Sequence, residues 1–127
     1  MSKYVLDASA LLALLNQEKG KDRVESVVVD SVISAVNYCE TLGKLIDGGM
    51  TDTDAREAVE LINLQVIDFD AGLAQIAAAL RPKTKMLGLS LGDRSCLALA
   101  LVRNDSAITA ERAWSKLRIG VKIEVIR

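Results

Sequence analysis

The sequence predicts an α/β domain of the three-layer α/β/α kind, with helices on both sides of a central, mainly parallel sheet. Short β-branched runs of four to six residues alternate with longer helical stretches along the chain. Hydrophobic residues make up 50% of the 127 residues, enough for the core of a single domain spanning residues 1–127. Aromatic residues are only 3%, which favours Ala-, Leu- and Val-rich helices packed on a small sheet over an aromatic-rich sandwich.

The chain opens with a strand followed by a helix. Residues 3–6 are a short β-branched and apolar run typical of a strand. The next three residues, Asp-Ala-Ser, are a helix start, and the apolar helix over 7–16 ends near Asn16. A second helix is predicted over about 19–28, and the run SVIS over 31–34 is the second strand.

Helix boundaries in the middle of the chain follow from stop and capping residues. A helix over 36–47 is stopped by Gly48 and Gly49. Thr51 with Asp54 three residues later resembles a capping box and opens a helix to about Asn63.

A third strand, QVIDF, covers residues 65–69 and leads into an Ala-rich helix. Asp70 is the expected N-cap of this helix, which ends at Leu80 before Pro82, the only proline. Residues 81–88 are predicted to form a basic loop.

The last third of the chain repeats the alternation. A long helix begins at Ser90 and runs to about Val102, and SAIT over 106–109 is the fourth strand. Residues 110–117 are predicted to be a short helix, and the alternating run VKIEVI over 121–126 is the final strand.

Acidic residues recur where predicted strands meet helices, which is the edge of a parallel α/β sheet where ligands bind. Asp7, Asp93 and Glu111 lie at such junctions, and Glu40 lies within the helix over 36–47. Singly, each has a structural explanation. Asp7 is an N-cap, Asp93 closes a capping box with Ser90, Glu111 complements a helix dipole, and Glu40 pairs with Lys44 one turn later.

Together, the four acids indicate a metal site, because carboxylates in one crevice repel one another unless a cation neutralises them. The sequence has no histidine, which excludes imidazole bases and ligands. Cys39 and Cys96 form no CxxC pair, so zinc has no support, and both are expected to be buried, reduced thiols. Oxygen-only ligands select Mg²⁺ or Mn²⁺, and such a site suits phosphodiester hydrolysis.

The net charge of −1 hides an asymmetry along the chain. Residues 1–80 hold 6 Lys and Arg against 13 Asp and Glu, whereas residues 81–127 hold 10 against 4. A basic surface beside an acidic region would guide a polyanion, although solubility is the more common explanation of such an asymmetry. No apolar run reaches the roughly 18 residues of a membrane span and no leader is visible, so we expect a cytoplasmic protein without membrane contact.

Four segments in order resemble the motifs of PIN-domain ribonucleases, especially the VapC toxins of VapBC toxin–antitoxin pairs: YVLDASALLALL, AVNYCETLGKLID, LSLGDRSCLALA and AITAERAW. The resemblance spans nearly the whole chain. It implies a PIN-like α/β/α domain and a Mg²⁺- or Mn²⁺-dependent endoribonuclease. Asp7, Glu40 and Asp93 match the family's acidic positions, as metal ligands and as carboxylates that position the attacking water.

The resemblance also implies supporting residues and partners. Ser9 and Thr109 match small hydroxyl positions beside the acids. Glu111 is a departure, because the family more often has Asp there, and the extra methylene would make its metal contact longer, water-mediated or absent. The family commonly forms homodimers and is inhibited by a small VapB-like antitoxin that occupies the active-site groove.

Other classes fit less well. A haloacid dehalogenase-type phosphatase would need a second acid at position 9, where this chain has Ser9. A receiver domain would need an acidic pair before the first helix, an acceptor Asp after a middle strand and a Lys after a late strand. Asp68 or Asp70 alone is too little to meet this pattern. The remaining alternative is a non-catalytic PIN-like module that binds RNA or a protein, supported by a basic run at 81–85. Arg94 and Arg112 would contact RNA phosphate or pair with the neighbouring acids, and both interpretations remain open.

Overall fold

The structure is a computed structural model that describes residues 2–127. Within these residues there are five strands: β1 (Tyr4–Leu6), β2 (Ser31–Ser34), β3 (Gln65–Ile67), β4 (Ser106–Thr109) and β5 (Ile123–Val125). The same residues form seven α-helices: α1 (Ala8–Leu15), α2 (Lys21–Val27), α3 (Ala35–Asp47), α4 (Asp52–Glu60), α5 (Ala71–Ala79), α6 (Arg81–Thr84) and α7 (Leu91–Arg103). Three 3₁₀ turns complete the chain: Val28–Asp30, Lys85–Leu87 and Arg112–Lys116. Met1 lies outside the described residues, so the expected domain over 1–127 is described only from Ser2 onwards.

All strands pair in parallel, in the order β3-β2-β1-β4-β5. The prediction of a three-layer α/β/α fold with a central parallel sheet is confirmed. The chain adds β2 and β3 on one side of β1, then β4 and β5 on the other, so the strand order reverses between β1 and β4. The carboxyl ends of these two strands therefore flank the crevice where such sheets bind ligands.

Alternate strand residues serve two cores, one on each face of the sheet, as the two-residue period of a strand requires. On one face, Val5, Val32 and Ala107 pack with residues of α5, α7 and Trp114. On the other face, Leu6 and Ile108 pack with residues of α1 and α2, and Ile33 packs with residues of α1, α3 and α4. Burial of both strand faces explains why the central strands lack the polar alternation of a half-exposed sheet.

Two expectations on local structure were wrong. Residues 81–88 are not a loop, because α6 and the turn Lys85–Leu87 continue the helical path after α5. Pro82 lies in the first turn of α6, where its missing N–H removes no hydrogen bond, so this proline starts a helix rather than preventing one. Residues 110–117 form a 3₁₀ turn over Arg112–Lys116 in place of an α-helix.

The buried face of α3 also differs from the apolar stripe that a helical wheel of residues 36–47 predicts, namely Tyr38, Cys39, Leu42, Leu45 and Ile46. Cys96 is buried as expected, whereas Cys39 is exposed. The fully buried residues of α3 are Asn37, Thr41 and Leu45. Thr41 is accommodated because its hydroxyl donates to the Asn37 carbonyl at 2.8 Å.

None of the helices in residues 2–127 is both long and apolar enough to cross a membrane.

Candidate active site at the carboxyl ends of the strands

A cleft of about 280 Å³ opens at the strand-order reversal. Asp7 follows β1, Glu40 comes from α3, Asp93 from the first turn of α7, and Glu111 follows β4. All four line this cleft. The structure therefore brings together the four acids that the sequence singled out, and their catalytic and metal-binding roles stay predictions.

Asp7 is the most buried of the four acids, with 3% of the residue exposed. Its Oδ1 accepts hydrogen bonds from the Ser9 hydroxyl at 2.7 Å and the Ala10 N–H at 2.8 Å, which also caps α1. Its Oδ2 accepts from the Thr109 hydroxyl at 2.6 Å. Burial raises the pKa of Asp7 to about 6 although these donors oppose the rise, and the nearby Asp93 adds to it.

The hydroxyls of Ser9 and Thr109 connect the ends of β1 and β4. Each has one proton and donates it to Asp7, so each oxygen is free to accept. The Ala110 N–H donates to Ser9 Oγ at 2.9 Å, and the Glu111 N–H donates to Thr109 Oγ1 at 3.0 Å. The two residues therefore hold Asp7 and the chain before Glu111 in one hydrogen-bonded unit.

Glu40 is held by partners other than the one the wheel suggested. No salt bridge joins it to Lys44, although both residues line the cleft. Instead, Glu40 Oε1 accepts from the Asn37 amide at 2.9 Å, and the same amide donates to the Gly92 carbonyl at 3.0 Å. These contacts join α3 to the first turn of α7, next to Asp93.

Asp93 has both a capping and a cleft position. Its Oδ2 accepts from the Ser90 N–H at 2.9 Å, while the Ser90 hydroxyl accepts from the Asp93 N–H at 3.2 Å. This is the capping box expected from the sequence. Only one carboxylate oxygen is needed for the box, so Asp93 can cap α7 and still present the other oxygen to a ligand.

Glu111 is exposed, and within residues 2–127 its carboxylate makes no hydrogen bond or salt bridge. Arg94, one of the two predicted RNA-contacting residues, donates from Nη1 to the Ala77 carbonyl at 3.0 Å and so ties α7 to α5. Arg112, the other, is exposed and donates to the Arg127 carbonyl at 3.3 Å. Neither arginine forms the local ion pair that the sequence left open.

The donor set of the cleft fits a hard divalent cation. Its candidate ligands are carboxylate oxygens, and Asn37 Oδ1 is an additional buried oxygen that has no hydrogen-bond donor in the described chain. Among residues 2–127, no three acidic or cysteine side chains are already close enough to enclose one ion. The acids thus share a cleft without closing on a common point, as mutually repelling carboxylates would.

Sequence reasoning missed four polar or charged residues of the cleft wall: Glu18, Asn37, Lys44 as a wall residue, and Arg127. Arg127 pairs with Glu18 at 3.4 Å across one side of the cleft. Asn37 carried a usable signal, because asparagine is a weak helix former and lies one turn before Glu40 on the same helix. Glu18 and Arg127 carried no such signal, since their pairing depends on the tertiary fold.

The chain matches a known protein family over most of its length. The family model of the PIN domain matches residues 4–120. A comparison with curated proteins found no match.

Solved structures share the fold over almost the full chain. DNA-bound VapBC from Salmonella typhimurium matches at 20% identity, covering 100% of both chains, with a TM-score of 0.77. A toxin–antitoxin complex from Klebsiella pneumoniae matches at 19% identity, covering 98% of each chain, with a TM-score of 0.78. VapC20 of Mycobacterium tuberculosis, a toxin that cleaves the sarcin–ricin loop, matches at 16% identity, covering 94% of this chain and 99% of its own, with a TM-score of 0.73.

Proposed function

The chain belongs to the PIN-domain family, and from this premise we propose that it is a Mg²⁺- or Mn²⁺-dependent endoribonuclease that hydrolyses RNA phosphodiester bonds. The observation that carries the proposal is the convergence of Asp7, Glu40, Asp93 and Glu111 on one cleft at the strand-order reversal. A binding module has no need for clustered carboxylates, because they repel the RNA backbone.

Asp7, Glu40 and Asp93 would hold the cation. When bound, such an ion supplies Lewis-acid polarisation of a phosphodiester and neutralises developing negative charge. Ser9 and Thr109 keep Asp7 in one orientation, since both carboxylate oxygens accept from fixed hydroxyls. Glu111 lies at the exposed side of the cleft, where it would contribute to orienting water or substrate rather than to the inner ligand set.

The proposal extends to the protein's biological role. Two of the similar solved structures are toxin–antitoxin assemblies and the third is a toxin that cleaves the sarcin–ricin loop. We propose that this chain is likewise the VapC-type toxin of a pair, that a small VapB-like antitoxin covers the cleft, and that the protein acts in the cytoplasm as a homodimer.

The proposal is tested by incubating purified protein with a panel of RNAs and Mg²⁺ or Mn²⁺. We expect cleavage that is lost in a chelator and restored by the metal. Asp7→Asn and Glu40→Gln should each lower the cleavage rate by a factor of about 100 or more, because each removes a charged ligand.

Two exposed acids outside the cleft provide matched controls, namely Asp47→Asn and Glu57→Gln, which should cleave like the unmodified protein. Circular dichroism checks that every variant folds. Cleavage that persists in chelator and in Asp7→Asn would refute the metal mechanism. RNA binding without cleavage under all conditions would favour the non-catalytic alternative.

A further inference from the structure

Glu40 is an exposed residue in the middle of α3, and an exposed glutamate normally samples several rotamers. If Glu40 binds a cation, this freedom lowers the affinity, because each binding event must fix the side chain in one rotamer. Contacts with Asn37 and Gly92 restrict the positions open to the Glu40 carboxylate.

Asn37 fixes one side of the carboxylate. Its amide nitrogen donates to Glu40 Oε1 at 2.9 Å and to the Gly92 carbonyl at 3.0 Å. Both partners are acceptors, so the amide has only one orientation that satisfies them. Only 1% of Asn37 is exposed, and its rotamer is therefore held by packing as well as by the two hydrogen bonds.

Gly92 supplies the other side. A Cβ atom at this position would overlap the carboxylate carbon and both carboxylate oxygens of Glu40. The backbone of Gly92 lies in α7 and has no positive φ, so the conformation itself does not require glycine. What requires glycine at this position is the space that the Glu40 carboxylate occupies.

The cost of Asn37 points to function rather than to stability. Its Oδ1 is buried and receives no hydrogen bond from residues 2–127. A buried acceptor without a donor is unfavourable, and an apolar residue of similar size would avoid that penalty. The buried Oδ1 of Asn37 therefore lowers the stability of the fold. The contact that explains the presence of Asn37 is its hydrogen bond to Glu40.

We infer that Asn37 and Gly92 form a seat for the Glu40 carboxylate, and that Asn37 is a positioning residue that delivers Glu40 to the cation beside Asp93. The inference deepens the proposed function and rests on it. The Glu40 seat also requires glycine at position 92 of α7, because any larger residue would overlap the carboxylate of Glu40 in α3.

Gly92→Ala is the sharpest test. Alanine is a better helix former than glycine, and the clashing atoms are the end of a flexible side chain that can swing into solvent. The thermal midpoint should therefore stay the same or rise. Mn²⁺ binding, followed by electron paramagnetic resonance of free Mn²⁺, should weaken by about 10–100-fold, the usual effect of losing a group that orients a ligand.

Gly43→Ala is the matched control, because Gly43 lies in α3 and an added Cβ there meets nothing within 4 Å. It should bind Mn²⁺ like the unmodified protein. A Glu40→Ala background removes the three atoms nearest to the added Cβ, so adding Gly92→Ala there should leave Mn²⁺ affinity unchanged while the thermal midpoint stays the same or rises.

Asn37→Ala should weaken Mn²⁺ binding about tenfold in the unmodified background and have no further effect in Glu40→Ala. Equal losses in both backgrounds would mean that Asn37 acts on the fold or binds Mn²⁺ directly through its Oδ1, and not through Glu40, which overturns the inference. So would undiminished Mn²⁺ binding by Gly92→Ala, or a large fall in its thermal midpoint. If the unmodified protein binds no Mn²⁺, the proposed function fails and the seat loses its role with it.

Discussion

At the scale of single residues, burial and hydrogen bonding act on Asp7 in opposite directions. Burial raises its pKa to about 6, although three donors favour the charged form. The local sequence explains the N-cap, whereas the raised pKa results from burial by the surrounding fold. Asp7 is thus a structural cap and a candidate ligand with the same carboxylate.

The raised pKa predicts how the stability of the metal-free protein depends on pH. Between about 4 and 6 the folded state keeps the Asp7 proton that the unfolded state has released, so the free energy of unfolding falls as pH rises. The rise of the Asp7 pKa from 3.8 in the unfolded state to about 6 in the folded state lowers the free energy of unfolding by about 3 kcal/mol once pH exceeds both values. Urea unfolding of Asp7→Asn at pH 4.5 and 7.5 should lack this contribution, while Asp47→Asn should retain it. An unchanged slope in Asp7→Asn would contradict the assignment.

Thr109→Val removes the hydroxyl that donates to Asp7 Oδ2 and accepts from the Glu111 N–H, while keeping the side-chain shape. We expect a loss of about 1–3 kcal/mol of stability at pH 8, because an ionised buried carboxylate loses a donor. The loss should be smaller at pH 5, where Asp7 is mostly protonated. Denaturant titrations at the two pH values measure it, and equal losses would show that Thr109 acts through the Glu111 N–H or packing rather than through the ionised Asp7.

At the scale of elements, the start of α7 combines a helix cap with a site residue. Ser90 and Asp93 form the capping box, and Asp93 alone of the two lines the cleft. The α7 N-terminus therefore both ends a loop and points a carboxylate at the strand-order reversal.

Ser90→Ala separates the two roles. It removes the hydroxyl that accepts from the Asp93 N–H but keeps the Ser90 N–H that Asp93 binds. We expect about 1 kcal/mol lower stability with RNA cleavage retained, whereas Asp93→Ala should lose both. Thermal unfolding and cleavage assays on the two variants measure these effects. Full cleavage by Asp93→Ala would leave capping as its only role.

At the scale of the whole molecule, an acidic cleft lies in a chain whose last third is basic. Residues 81–127 hold 10 Lys and Arg against 4 Asp and Glu. The exposed cations Arg81, Lys83 and Lys85 lie on α6 and the turn after it, outside the cleft. This arrangement suits a polyanion that is attracted by one surface and cut at another.

Replacing Arg81, Lys83 and Lys85 by Gln should weaken RNA binding and its salt dependence. Three lost phosphate contacts would lower the slope of log affinity against log salt by about 2. Binding is measured by fluorescence anisotropy at several NaCl concentrations, with the triple change Lys19→Gln, Lys21→Gln and Arg56→Gln as a control of equal charge in the acidic part of the chain. Equal effects of the two triple variants would mean that only net charge matters.

The sequence by itself determined the elements whose signals are local. SVIS and SAIT are strands with the predicted bounds, and Thr51, Asp70 and Ser90 cap the predicted helices. Strands alternating with helices also determined the parallel α/β class, because parallel neighbours need helical crossovers. Asp7, Asp93 and Glu111 could be placed at one edge of the sheet for the same reason.

Only the tertiary structure decided how Glu40 enters the site. The helical wheel predicts an apolar stripe of α3, but the buried face carries Asn37, whose amide donates to the first turn of α7, and Thr41. The wheel therefore misassigned Cys39 and favoured a surface pair with Lys44. Asn37, Gly92 and the Glu18–Arg127 pair join residues far apart in the chain, and no local periodicity encodes such contacts. Local backbone preference fixes elements, whereas the packing of one element on another fixes which side chains meet.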